Sequence, residues 1–275
     1  MKVCFLSIFA AFCLLVSLNA LPASAQFEDL YGLNPQIESG LNKMGFTTLR
    51  GYVPDGKCQG FFNQVGVTYP FGTGSAALDK ILADAAKADF DKYLNTPMES
   101  CPENVDATDT PVAQHRKTFT ATTAGKKYLS FFFSVFEEIP FAAHPSSASS
   151  AVVYDLQSAK PIELGALFDD PKKAMPELWA YVAKGWCSQD KDTLPSYYNL
   201  GDDDSACGSK TPPLPSTFNA DPVPFTALGA VTLTPKGLTI QIDALDAWAY
   251  SDGPGTFEVP KDYLVSIGAK KEVWE

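Results

Sequence analysis

Tyr128-Leu129-Ser130-Phe131-Phe132-Phe133-Ser134-Val135-Phe136 is the stretch that decides the fold, because it is aromatic and β-branched enough to be a central strand. Gly125 before it is a turn signal, and Thr118 to Thr123 alternates with the period of two that a strand requires. Downstream, Ala151-Val152-Val153-Tyr154-Asp155-Leu156 reads as another strand after a small-residue loop at Ser146 to Ser150. Upstream the period changes. Leu78, Ile81, Leu82 and Ala85, continued by Ala86, Phe90, Tyr93 and Leu94, follow helical spacing, with Ser75 as N-cap and Pro97 just past the end. Between this helix and the central strands, the polar segment Glu99 to Gln114 is expected to be a loop.

A second helix is predicted from Pro176 to Cys187, with Leu178, Trp179, Val182 and Trp186 on one side. Tyr197 to Pro215 reads as a long loop, and Ala230 to Leu233 and Leu238 to Ile242 as two strands joined by Thr234-Pro235-Lys236-Gly237. Thr256 to Val259, Pro260 and a short amphipathic piece around Tyr263 and Leu264 close the chain. From Gln26 to about Thr73 the text is turn-rich, with one strand candidate at Gly60 to Val67. Strands and helices without regular βα alternation predict an α+β fold, a mixed or antiparallel sheet with packed helices in two sub-lobes. The expected division is a leader over 1–25, an N-terminal α+β sub-domain over 26–117 and a C-terminal one over 118–275.

The 275 residues are 45% hydrophobic and 19% charged, enough apolar content to bury a core. A net charge of −11 with no Lys/Arg cluster excludes nucleic acid as a partner. Lys2, the apolar run Val3 to Leu18 and the small-x-small triplet Ala23-Ser24-Ala25 read as a secretory signal peptide cleaved before Gln26. The run is shorter than the roughly 20 residues that span a bilayer, so no membrane-spanning segment is expected after cleavage. Cleavage would remove one cation, Lys2, making the charge −12 instead of −11. It would also remove Cys4 and Cys13, leaving Cys58, Cys101, Cys187 and Cys207. In a periplasmic or secreted chain these read as disulfides with three possible pairings, and Cys58–Cys101 with Cys187–Cys207 is favoured because each closes a loop within one half of the chain. Zinc ranks far below disulfides, since there is no CxxC and neither His lies beside a Cys; neither metal nor cofactor is expected.

The order of the pieces resembles a family. Val67-Thr68-Tyr69-Pro70 followed by a helix looks like the N-terminal part of the extracytoplasmic RsiV-like module, which also occurs beside the deacetylase domain of PdaC-type envelope proteins. Tyr128-Leu129-Ser130-Phe131, the loop Phe141-Ala142-Ala143-His144-Pro145, Tyr154-Asp155-Leu156, Ile162-Glu163-Leu164 and Leu167-Phe168 resemble its C-terminal part. Gly237-Leu238-Thr239-Ile240, Gly255, Val259-Pro260 and Leu264 are similar to its closing strand and final element. The resemblance spans Gly60 to Ile267. It departs at Phe141 and Ala142, where the family has glycines, and at Ala159, where a Gly-Lys turn is usual. It implies a two-part α+β module outside the cytoplasm, mostly without assigned activity, whose best-understood member recognises lysozyme.

His144 is the residue most open to a functional reading. It could act as acid or base with Glu137 or Glu138 as orienter, but an imidazole that bonds backbone and holds the hairpin, or touches a ligand, is the better reading. His115 has no partner pattern and is expected in a surface loop. Glu137 and Glu138 are adjacent, so on a strand they point to opposite faces and form no catalytic pair with each other. Asp243 with Asp246 or Asp252 remains a possible carboxylate pair. Asp202-Asp203-Asp204 lacks the alternating ligand pattern of a calcium loop and reads as a solvated acidic loop. There is no Gly-x-Ser-x-Gly, phosphate-cradling loop or His-Glu-x-x-His. Phe131 to Phe133, Trp179 and Trp186 read as core, whereas Trp248 and Tyr250, at i and i+2 before Gly253-Pro254-Gly255, can stack on a sugar or anchor a protein. The expected ligand-contact set is therefore His144, Phe141, Trp248 and Tyr250. The expected function is a non-enzymatic cell-envelope binding module whose partner is a cationic protein such as lysozyme, or a peptidoglycan glycan. The alternative is a peptidoglycan-active hydrolase or deacetylase using His144 with a nearby carboxylate.

Overall fold

Leu129 and Phe131 point to one face of their strand and Tyr128 and Ser130 to the other, and all four are buried, so this strand has a layer on each side. The computed structural model describes residues 35–38, 41, 43–98, 101, 112–140, 142, 145–189, 198, 207, 213–243 and 255–275. Strands β1 (Gln36–Ile37), β2 (Gly45–Pro54), β3 (Phe62–Phe71), β4 (Val112–Ala124), β5 (Tyr128–Glu138), β6 (Ser146–Asp155) and β7 (Lys160–Pro161) form one sheet. Its order is β2-β3-β4-β5-β6-β7, with β1 added on β4. The β3–β4 and β1–β4 pairs are parallel and the rest antiparallel, so the sheet is mixed and the α+β expectation holds.

Helix α1 (Ala76–Asn95) covers one face through Leu78 and Leu82, which pack on Phe119, Ala121, Leu129 and Phe131. Ser75 caps it, accepting from the Leu78 N–H at 3.4 Å, and Asp79 turns back to accept from Gly72, Thr73 and the Thr73 hydroxyl. The other face carries a three-stranded antiparallel sheet, β8 (Ala230–Thr234), β9 (Gly237–Ile242) and β10 (Gly255–Pro260). Two hydroxyls fasten the layers: Ser130 Oγ accepts from the Leu233 N–H at 2.9 Å, and Thr122 Oγ1 donates to the Leu233 carbonyl at 2.9 Å. Helix α2 (Pro171–Cys187) joins this side with Leu178, Trp179, Val182 and Trp186 in the largest core, against Val231, Leu238, Ile240 and Val259. A last short helix, α3 (Lys261–Ser266), buries Leu264.

Four readings of the sequence are corrected. β2 escaped detection because its mixed text, GFTTLRGYVP, alternates weakly between half-buried and exposed positions. β4 starts at Val112 rather than Thr118, inside the segment read as a loop, and β6 starts at Ser146, its serines lying on a largely exposed stretch. α2 begins at Pro171, with Asp170 accepting from the Lys173 N–H, so Pro176 sits inside the helix instead of in its first turn. Ala159, where the resemblance has a glycine, adopts a φ of +54°, the left-handed conformation that glycine would supply without a steric cost.

The disulfides are Cys58–Cys101 and Cys187–Cys207. Such bonds fit a chain that folds away from the reducing cytosol. Among the described residues no helix is long and apolar enough to cross a membrane. At the β8–β9 turn, Gly237 has a φ of +142°, and a Cβ there would lie 2.1 Å from the Val259 carbonyl oxygen on β10. Gly237→Ala is expected to cost about 3 kcal/mol, adding backbone strain to overpacking, seen as a lower urea midpoint at unchanged slope.

Candidate functional site

At one end of the main sheet, β3 and β4 begin and β5 finishes beneath the C-terminal turn of α1. Asn63, Gln64 and Val65 of β3, Ala113, Gln114 and His115 of β4, and Glu137 and Glu138 of β5 with Ile139 after it meet Tyr93, Thr96, Pro97 and Met98. They enclose a cavity of about 370 Å³, toward the small end of the range for ligand sites. Register makes the arrangement. Val65 and His115 are partners across β3–β4, and His115 and Glu137 across β4–β5, so the imidazole and the carboxylate stand side by side.

His115 Nδ1 lies 2.9 Å from Glu137 Oε1, and the Tyr93 ring stacks on the imidazole with centroids 3.3 Å apart. His115 is 5% exposed. Burial holds its pKa below the usual histidine value, while the hydrogen bond and charge of Glu137 pull it partly back. The neutral ring therefore donates through Nδ1–H to Glu137 and presents a lone pair at Nε2, which is buried and has no hydrogen-bond partner among the described residues. The side-chain oxygen of Gln114 is buried and unpartnered in the same way.

Asp55 braces the floor. Burial alone would raise its pKa, but the backbone N–H groups of Cys58, Lys57 and Met98 and the Asn63 amide, all donating to it, hold the carboxyl below its usual value. Asn63 also donates to the Thr96 carbonyl at 3.1 Å, so one carboxylate links the β2–β3 loop, the Cys58–Cys101 bridge and the end of α1.

Both shifts predict loss of stability in acid, in separate windows. Below pH 6.5 the unfolded chain takes up a proton that His115 resists, so stability falls with pH until the native histidine also titrates. Asp55 contributes above the unfolded carboxyl value of 3.8, and its contribution is lost as pH falls through the lower native value. Urea unfolding at a series of pH values should show stability declining as pH falls below 6.5, with a flatter slope in His115→Gln.

The sequence expectation of a surface loop at His115 is thus corrected. The signal was available: extending the Thr118–Thr123 alternation backwards by twos puts His115 on the face of Phe119 and Ala121. Glu137 orients His115, while Glu138 is exposed. Asp243 accepts from the Ser149 N–H at 2.9 Å and from its hydroxyl, a structural tie between the two sheets. His144, Phe141, Trp248 and Tyr250 lie outside the described residues, as do Asp246, Asp252 and Asp202 to Asp204. Among the described residues no group of three or more His, Cys, Asp or Glu could hold a metal ion. The Thr96 hydroxyl on the cavity wall is committed to the Lys92 carbonyl at 2.6 Å, so it is no ready nucleophile for a His115 base.

This α+β architecture is similar to solved structures described as DUF3298 family proteins. One, from Pseudomonas aeruginosa PAO1, has a TM-score of 0.51 and 15% identity over 84% of this chain and 96% of its own. Another, from Bacteroides fragilis NCTC 9343, has a TM-score of 0.51 and 13% identity over 82% of this chain and 93% of its own. At such identities the likeness concerns the fold. No family model matches the sequence, and no curated protein sequence matches it.

Proposed function

We propose that this protein is an exported, non-enzymatic binding module of the cell envelope. The observation that carries the reading is the cavity at the sheet end, which carries the carboxylates Glu137 and Glu138 on a largely apolar wall, with no nucleophile poised beside the His115 imidazole among the described residues. The leader-like N-terminus, the disulfides and the RsiV-like sequence order support a periplasmic or secreted location after cleavage at Ala25. The partner is a cationic protein such as lysozyme, or an envelope glycan; a net charge of −11 favours the former through steering and complementarity.

Titration calorimetry with lysozyme and with peptidoglycan fragments at low salt tests the reading. Binding to lysozyme that weakens as salt rises is the expected result. Absence of heat with either ligand would remove both named partners.

A further inference from the structure

We propose that His115 is an acid-sensitive latch between β4 and the C-terminal turns of α1. With a neutral ring the two elements stay closed on each other; a protonated ring parts them locally and leaves the rest of the fold in place. The latch is independent of which partner the module binds.

The contact between α1 and β4 changes character along its length. Leu78 and Leu82 in the first half of the helix pack with Phe119 and Ala121, an apolar contact indifferent to pH. Two residues before Phe119, on the same face of the strand, Lys117 pairs with Asp89, and two before that the His115 ring lies on Tyr93 with centroids 3.3 Å apart. The second half of the helix therefore meets β4 through polar contacts, and the outermost of them is the one that titrates near neutral pH.

The closed arrangement has no place for a second proton on the ring. Nδ1–H is committed to Glu137 at 2.9 Å, and Nε2 is buried with no hydrogen-bond partner among the described residues. In the neutral ring Nε2 is an unpaired lone pair; in the imidazolium it becomes a buried N–H of a charged group, and such a donor without an acceptor is the costlier of the two. The neighbouring charges do not remove this cost. Glu137 on β5 and Asp89 on α1 favour the cation and Lys117 on β4 opposes it, while β3 contributes the uncharged Val65. Glu138 points to the opposite face of β5. Lys92 already stands 4.7 Å over the Tyr93 ring, so a charged imidazole would make two cations share one aromatic ring. Burial outweighs the carboxylates, and the ring takes up its proton at lower pH than it would in water. Water at Nε2 relieves the charged ring, and parting His115 from Tyr93 lets it in.

The movement has fixed points around it. Phe90 and Leu94 lie against Gly51 of β2, and beyond the helix Asn63 donates to the Thr96 carbonyl and Asp55 accepts from the Met98 N–H. The Asp55 carboxyl is held below its usual value, so this clamp survives well into acid. Tyr93, His115 and Glu137 all line the sheet-end cavity, so the opening reshapes that cavity from within.

The test is NMR on the full disulfide-bonded chain over a falling pH series, with the His115 ring nitrogens reporting its midpoint. Between pH 6.5 and that midpoint the open form should gain by up to about tenfold per pH unit, because it takes up the proton that the closed form resists. Nuclear Overhauser contacts between the Tyr93 and His115 rings should fade in step. Amides of residues 90–94 should lose exchange protection, corrected for intrinsic rates, while those of 78–82 and 129–131 keep theirs. His115→Gln should remove the pH response; Glu137→Gln, which lowers the closed-state midpoint, should extend it to lower pH. A protonated ring still in contact with Tyr93, equal pH responses in wild type and His115→Gln, or protection lost evenly across the fold would overturn the latch. Should His115→Gln fail to fold, the coincidence of ring midpoint and lost contact in the wild type decides, together with the Glu137→Gln shift.

Discussion

Replacing Trp179 with alanine is expected to cost about 4 to 5 kcal/mol and to leave the protein partly unfolded at room temperature. The indole is 1% exposed on α2, its ring meets Tyr198 edge-on at 4.7 Å and lies 5.8 Å from Phe218, and its N–H donates to the Pro213 carbonyl at 2.8 Å. Truncation therefore leaves a cavity and also strands a carbonyl that the indole had satisfied. The neighbouring Trp186 N–H donates to the Tyr198 hydroxyl at 3.0 Å, so losing one indole loosens the partner of the other. Urea unfolding followed by circular dichroism should show a large drop in midpoint or no cooperative transition. A loss under about 1 kcal/mol would mean that the ring is not the centre of this core.

Removing the Cys58–Cys101 bridge should be nearly as damaging, at about 4 kcal/mol for a 43-residue separation, against about 3 kcal/mol for Cys187–Cys207 at 20 residues. Most of either effect is the restriction the cross-link places on the unfolded chain. The first bridge has a local role as well. Cys58 is 1% exposed, packs with Phe61 and Met98, and donates its N–H to the Asp55 carboxylate. Double Cys→Ala variants compared in urea give the order directly. The Cys58/Cys101 variant should be the less stable and should also disturb the amides of Asn63 and Met98 at the cavity; the reverse order would contradict the loop-length account.

The sequence disclosed the elements whose physics is local. Helix α1 announced itself through Ser75 and the spacing of Leu78, Leu82 and Ala86, and β5 through its run of aromatics. The start of α2 was equally local in Asp170-Pro171 but was overshadowed by Pro176, a second proline of the same apparent meaning. β2 was not legible because it is held by its antiparallel ladder with β3 and by α1 more than by propensity. The site was illegible for a related reason. His115 and Glu137 are 22 residues apart and become neighbours only through the β4–β5 register, while Tyr93 arrives from α1. No single-chain spacing encodes that meeting. His144, by contrast, carries a motif that is local in the sequence, Phe141-Ala142-Ala143-His144-Pro145.

The imidazole of His115 gives the most direct test of the account, which places a buried, neutral histidine hydrogen-bonded to Glu137 beside an acidic cavity. Nitrogen-15 NMR of the ring across a pH titration should show the Nδ1–H tautomer at pH 7, with a titration midpoint below 6.5 that falls further in Glu137→Gln. A ring that titrates at or above 6.5, or that carries its proton on Nε2 at neutral pH, would contradict the site as described.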